Sequence, residues 1–277
     1  MNIPVTTLAF VASVLGIDVD SLFAWLLRNR VHHVAGILAS GSTRNSKTGN
    51  VPTIAIGKTR EESLASCKGC KLLPKNAEIP CYSQHGTPAM GHRSQARAYK
   101  RLTESGKSVE KYSAVYAIQN RHIKALMVRF GSIGDPARAD RAQLYSALLT
   151  CDTESLDPVG YTHFWKEEFA QDLRPWFMAS CNTIAECEEA EAMGWRTTLV
   201  VDCPDSYWDN GKYVGPARLA GGAVCFAMTK PAVTCNTCRV CTSRPANPKR
   251  RPILAKYPRI VFPNHGKGSA ARRRRRA

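Results

Sequence analysis

A chain of 277 residues is long enough for one large α/β domain with appendages, or for two smaller units, and it can bury a core without crosslinks. Its 39 Lys and Arg against 22 Asp and Glu give a formal net charge of +17, so polyanions are the first partners to consider, whether nucleic acid or a phosphorylated cofactor. No apolar run reaches the length that crosses a bilayer, and Leu8 to Leu15 lacks the basic leader and small-residue cleavage site of a secretory signal. A cytoplasmic protein with no membrane partner is therefore expected. Reducing surroundings keep thiols from building a disulfide framework, so among the 11 cysteines the clustered ones point to metal.

Residues 1–30 are expected to form a helical N-terminal extension. Leu8, Val11, Val14 and Leu15, then Leu22, Trp25 and Leu26, recur at helical spacing, with Gly16 between them and Asp20 or Ser21 as an N-cap. Ala12, Gly16, Leu22 and Trp25 fall where a DNA-reading helix-turn-helix places small and apolar residues, although paired amphipathic helices more often only pack.

The main domain, 31–266, opens with strand-like segments at His33 to Leu38 and Val51 to Ile56, separated by the turn-rich Ser40 to Asn50. A basic helical region at Arg93 to Leu102 and an amphipathic one at Val109 to Gln119 follow. The pattern then alternates. Ala125 to Phe130, Val159 to Phe164, Trp176 to Ser180 and Thr197 to Asp202 read as strands, interleaved with helices at Arg141 to Leu149, Glu167 to Leu173 and Ile184 to Met193, the last closed by Gly194. Such a succession predicts an α/β fold with a parallel sheet, either open or curled into a partial or complete (β/α) barrel. The final 267–277, with Arg272 to Arg276, form a basic disordered tail suited to a phosphate partner.

In parallel sheets chemistry gathers at the carboxyl edge. Ser132, Gly134 and Asp135 follow one strand, Thr162 and His163 lie late in another, and Ser180 and Asn182 end a third. Asp135, with Arg129 and His163 on neighbouring strands, is placed to bind, deprotonate or attack a substrate, while Gly-Asp-Pro is equally a good helix start. Ser132, Gly134, Ser180 and Asn182 are the candidate cofactor-binding residues. No Ser-His-Asp set, Walker loop or dinucleotide glycine fingerprint is visible, so common hydrolase, NTPase and dehydrogenase readings lose support.

The cysteines fall in two groups. Cys67 and Cys70 are close enough to chelate one ion within a single turn, and Cys81 returns after a loop, with His85 a candidate fourth ligand if the site is closed zinc. Cys235, Cys238 and Cys241 recur every third residue, a spacing that no helix or strand needs and that a loop wrapping a thiophilic ion does. His265 and Cys225 compete as the fourth ligand of this second group. An imidazole favours zinc, whereas a fourth thiolate admits an iron-sulfur cluster. Cys151, Cys181 and Cys187 lack such spacing and are expected to pack in the core.

Several of these motifs together resemble a family of uncharacterised proteins common in bacteriophages and prophages. They are Asn45-Ser-Lys-Thr-Gly49, the cysteine group ending in Cys81-Tyr82, Arg129 with Gly134-Asp135, Gly160-Tyr-Thr-His163, Ala179-Ser180, Gly194-Trp195, the triple cysteine and His265-Gly266. This resemblance implies a bacterial host cytoplasm. The first cysteine group and the strand order also resemble radical S-adenosylmethionine partial barrels, which implies a four-iron cluster at Cys67, Cys70 and Cys81 with S-adenosylmethionine on its open iron. The second group with His265 is similar to the zinc site of tRNA-guanine and DNA deazaguanine transglycosylases, which implies base exchange with Asp135 as nucleophile or base. The leading expectation is a phage-type, metal-cluster enzyme that modifies nucleic acid or a nucleotide-derived substrate. Alternatives are a zinc-containing transglycosylase and a non-catalytic nucleic-acid-binding protein with structural metal sites.

Overall fold

Two apolar-faced helices, α1 (Val5–Leu15) and α2 (Val19–Asn29), begin the computed structural model, which describes residues 3–41, 47–70, 86–210, 212–230 and 232–264. Gly16 ends α1 in the left-handed conformation (φ 71°), which costs glycine no Cβ clash. The cap of α2 is Asp18, whose carboxylate accepts from the Ser21 amide at 2.7 Å, and not Asp20 or Ser21. Only Asp18 has the extended backbone that points a side chain back at the free amides of the first turn. Leu8, Val11, Ala12, Leu22 and Leu26 are buried in the same core as Tyr145 and Leu148, so the two helices pack as part of the main body.

The first strands are β1 (Ile37–Ser40) and β2 (Thr53–Ile56), paired antiparallel. Helix α3 (Arg60–Ser66) follows, its amides capped by Thr59, then α4 (Gly86–Glu104) and α5 (Ala114–Gln119), the last capped by Ser113. Next come β3 (Met127–Phe130), α6 (Arg141–Thr153), β4 (Asp157–Val159) and β5 (Tyr161–Thr162). The expected helix at Glu167 to Leu173 is a 3-10 segment, Glu168–Leu173. Strand β6 (Met178–Cys181), helix α7 (Ile184–Ala192) and strand β7 (Thr197–Val201) fall close to their expected places.

Beyond β7 the elements are short. They are β8 (Trp208–Asp209), β9 (Lys212–Tyr213), β10 (Arg218–Leu219), β11 (Gly222–Val224), α8 (Phe226–Thr229), α9 (Cys235–Cys238), α10 (Arg251–Ala255) and β12 (Arg259–Pro263).

One sheet has the order β1-β2-β3-β4 and another β10-β11-β12-β7-β6-β5, with parallel pairing everywhere except β1 with β2 and β10 with β11. Strands β4 and β5 are one extended run interrupted at Gly160, so the two sheets adjoin there. A Cβ at Gly160 would stand 2.8 Å from the Phe177 ring, which is why the sheets can approach at that point. Among the described residues no sheet closes on itself.

Strand alternation sorts the side chains onto two faces. Val128, Phe130, Ala179, Cys181 and Leu199 join the large core with Leu144, Leu148, Cys151, Cys187 and Ala190 of helices α6 and α7. Three cysteines outside the clusters thus pack in the core. On the other face Met127, Val159, Tyr161, Met178, Ile260 and Phe262 gather with Cys225, Cys235, Cys238 and Cys241. Tyr161 on β5 and Phe262 on β12 meet edge to face at 6.0 Å although β6 and β7 lie between their strands.

Candidate functional site

The loop carrying the triple cysteine is held by hydrogen bonds of its own. Thr234 and Thr237 form a reciprocal cap on α9, and Arg239 ends that helix in the left-handed conformation (φ 52°). The Cys235 amide donates to the Lys47 carbonyl at 2.9 Å and the Asn236 amide to Thr48 at 3.0 Å. The Asn236 side chain also accepts from the Leu126 amide at 2.7 Å and donates to the Lys124 carbonyl at 2.8 Å, which ties the loop to the entry of β3. From below, Arg196 donates to the carbonyls of Val240, Thr242 and Tyr257. Asp157, on β4 and with a fully buried side chain, pairs with both Arg239 and Arg250 and accepts from the Ala246 amide at 2.6 Å.

Within this frame the thiols of Cys225, Cys235, Cys238 and Cys241 lie in electrostatic reach of one another in every pairing. Burial pushes the Cys225 thiol up to about 12, and the neighbouring thiols add to the shift. Burial likewise raises Cys241, against a hydrogen bond from the Tyr161 hydroxyl, and raises Cys235, against the charge of Arg129. Cys238 is raised by burial and drawn back by Arg250, Lys230 and Arg239. Four soft donors on one sheet face, within reach of the charges of Arg129, Arg250, Lys230 and Arg239, suit a thiophilic ion that ionises its ligands on binding. Among the described residues, however, no three His, Cys, Asp or Glu side chains are already set at coordinating spacing, so the thiols are gathered without being closed on one point.

The carboxyl edge holds a second arrangement. Asp135 is buried, where its Oδ1 accepts from Thr162 Oγ1 at 2.7 Å and from the Ala137 amide at 2.9 Å, and its Oδ2 from the His163 amide at 2.9 Å. Its own amide donates to Ser66 Oγ at 3.2 Å. The His163 ring continues the line, with Nδ1 3.8 Å from Asp135 Oδ2 and Nε2 3.2 Å from Ser180 Oγ. Burial raises the Asp135 carboxyl, opposed first by His163, while burial holds the His163 ring below its ordinary value against the charges of Asp135 and Glu186. Gly134 precedes with φ 74°, and a Cβ there would stand 2.3 Å from the Ile56 carbonyl oxygen. Only glycine lets the loop descend far enough to seat Asp135 under His163.

The loop after Asp135 is fixed by Arg141, which is fully buried. Its Nε and Nη2 grip Asp172 at 2.7 and 3.0 Å, and Nη1 donates to the carbonyls of Pro136 and Ala139 at 3.2 Å each. Tyr145 completes the group with a hydroxyl bond to Asp172 at 2.8 Å.

The expected site residues thus divide. Asp135, His163 and Ser180 come together, and Asp135 both caps the 3-10 turn Pro136–Arg138 and holds His163. Arg129 stands with Cys235 and Tyr161 at the thiols. Ser132 bonds the Ile54 carbonyl through its amide and hydroxyl, and Asn182 is engaged through amide and side chain with Glu186 in the first turn of α7. Cys67 ends α3 and its carbonyl accepts from the Cys70 amide at 2.9 Å. Cys81, His85 and His265 lie outside the described residues, as does the arginine tail. Asp157, Arg196, Arg141 and Asp172 also hold these centres, and no motif or spacing in the sequence marks them. A carboxylate within an apolar strand is the one local sign that Asp157 gives.

Comparison with known protein families, with curated proteins and with solved structures finds no match to this chain. Its own geometry defines a mixed α/β protein with parallel strands and two separate polar centres, one of thiols on the sheet face and one of Asp, His and Ser at the carboxyl edge. No single helix among the described residues is long and apolar enough to cross a membrane.

Proposed function

We propose that this chain is a phage-type metal-thiolate protein, a nucleic-acid-modifying enzyme whose Cys225, Cys235, Cys238 and Cys241 hold a zinc ion or an iron-sulfur centre against the inner face of a partial (β/α) barrel. The observation that carries this reading is that Cys225 and the three cysteines of a loop locked by Asp157, Arg196 and Asn236 pack against the same sheet face. Cys225 is then the fourth ligand, which makes an all-sulfur set compatible with either metal. When bound, the centre supplies a charge that keeps the thiols ionised and crosslinks the loop to β11. The curl is supported by the Tyr161 and Phe262 rings touching across two intervening strands, a span that a flat sheet of about 4.8 Å strand spacing would not close.

A radical S-adenosylmethionine-like enzyme would use Cys67 and Cys70, and their place after the first parallel-paired strand suits that reading. A transglycosylase-like enzyme would need Asp135 to face substrate, whereas its oxygens are buried and bonded to Thr162, Ala137 and His163, which weighs against it. For a nucleic-acid partner, α4 offers exposed Arg97, Lys100 and Arg101 on consecutive turns.

Metal and acid-labile sulfide are to be measured on full-length chain purified without oxygen. Iron with sulfide supports the cluster form, and stoichiometric zinc alone supports the zinc form and removes radical chemistry. A chain that takes up neither metal overturns the proposal. Affinity for a single-stranded oligonucleotide should fall steeply from 50 to 200 mM salt, by about 10³-fold or more if six or more phosphates are neutralised. Salt-independent binding would remove the nucleic-acid partner.

A further inference from the structure

Positive charge gathers where α3 and α4 meet. On α4, Arg93, Arg97, Lys100 and Arg101 recur at the three- and four-residue intervals that place side chains along one helix face. The turn before α3 adds Lys58, whose Nζ lies 5.4 Å from the centre of the Tyr99 ring, and Arg60 opens α3 itself. Three carboxylates answer these cations. Glu62 accepts from the Lys58 amide, Glu104 pairs with Lys100 in the open at 3.7 Å, and the exposed Glu61 feels the charges of both Arg60 and Lys100. Because Glu61 is within reach of both, the first turn of α3 and the cationic face of α4 form one surface.

A depression lies at this junction, lined by Arg60, Ser63 and Leu64 of α3 and by Ala89, His92 and Arg93 of α4. The His92 ring is buried, and its Nε2 meets the Gly57 carbonyl oxygen at 3.0 Å and Ser63 Oγ at 3.3 Å. These bonds tie α4 to α3 and to the end of β2, so the shape of the depression is set by the fold. Among the described residues neither Arg60 nor Arg93 forms an ion pair. The depression holds about 260 Å³ of space open to solvent, short of the roughly 300–1,000 Å³ that encloses a small molecule. Its shape therefore suits one anionic group carried by a larger ligand.

We propose that this depression seats one backbone phosphate of a nucleic-acid strand between Arg60 and Arg93, and that the strand continues along the Arg97, Lys100 and Arg101 face of α4. The inference rests on the nucleic-acid partner proposed above and adds the place where a strand is fixed to the surface. Guanidinium forks match phosphate oxygens in pairs, and two of them without carboxylate partners border the depression. From Arg93 to Arg101 the helix rises about 12 Å, so its cations extend well beyond a single anion. A polymer of regularly spaced charges matches such a line, whereas a free phosphate would use the depression alone.

Affinity of the full-length chain for a fluorescent single-stranded oligothymidylate is to be measured between 50 and 200 mM salt. The double variant Arg60→Gln with Arg93→Gln should flatten the slope of log affinity against log salt by about 0.7, the share of one phosphate on a single strand. Over this range the salt-dependent loss of affinity then shrinks by about 2.5-fold. Arg60→Lys with Arg93→Lys keeps both charges and should keep the wild-type slope, which separates lost charge from a damaged fold. Lys212→Gln with Arg218→Gln removes the same charge from exposed positions on β9 and β10 and should also leave the slope unchanged. A wild-type slope in the Arg60→Gln, Arg93→Gln chain, or equal flattening in the β9 and β10 control, overturns the phosphate seat while leaving the nucleic-acid partner standing. Wild-type binding that ignores salt overturns both. Inorganic phosphate that raises the melting temperature through Arg60 and Arg93, with no change of oligonucleotide slope in their variant, assigns the depression to a free anion and overturns the backbone source.

Discussion

Replacing Asp157 by Asn should both weaken the fold and loosen the cysteine loop. The carboxylate is wholly buried and faces two guanidinium groups, of Arg239 and Arg250, whose side chains are 21% and 15% exposed. Taking one partner from a buried ion pair costs about 3–5 kcal/mol, because the remaining charge is left without compensation. Both arginines retain some water, so the lower end applies, and about 3 kcal/mol is a large share of the roughly 5–15 kcal/mol that holds such a chain folded. With a urea slope near about 3 kcal/mol per M, the unfolding midpoint should drop by about 1 M at unchanged slope. A fluorescence-monitored urea titration measures this, and reaction of the native protein with a thiol reagent should accelerate alongside it. A midpoint shift worth less than about 1 kcal/mol, the range of an exposed pair, would refute the reasoning, since Asp157 would then not be the anchor of the loop.

Gly134→Ala forces a Cβ against the Ile56 carbonyl in a left-handed backbone, so it should destabilise by at least about 1–2 kcal/mol in the same titration and dislodge Asp135 from His163. His33 is buried and bonded through Nε2 to the Phe169 carbonyl at 2.9 Å, and burial with the nearby Arg141 charge holds it down to about 3. Its folded value lies below the unfolded one, so the stability it carries is present above about pH 6.5 and is lost as pH falls toward 3, at about 1.4 kcal/mol per pH unit. Thermal melts across that range should show a weaker pH dependence for His33→Gln. Asn236→Ala removes the bonds to Leu126 and Lys124 and should raise thiol reactivity with a stability loss of only about 1–2 kcal/mol, and protected thiols in this variant would show that the loop is held elsewhere.

Regular periodicity made the middle of the chain legible. Helices α6 and α7 and the strands between them follow their apolar spacing, and Thr183 with Glu186 opens α7 as cap and third residue. The short strands β8 to β11 left no such trace, because two or three residues cannot display a period. Breaking of the long Val159 to Phe164 strand at Gly160 depends on the Phe177 ring, which local sequence does not report.

The triple cysteine announced itself by spacing alone, whereas its clamp did not, since Asp157 meets Arg239 and Arg250 from 82 and 93 residues away. Asp135, His163 and Ser180 were each visible as strand-end polar residues. Their assembly into one line was not, because it depends on the pairing that sets β5 beside β6 and on the descent of the Gly134 loop.

X-ray absorption at the metal edge of the anaerobically prepared full-length chain tests the thiol centre most directly. Four sulfur neighbours at about 2.3 Å, falling to three in Cys225→Ser, are the predicted result. A first shell of nitrogen and oxygen, or a sulfur count indifferent to Cys225, would contradict it.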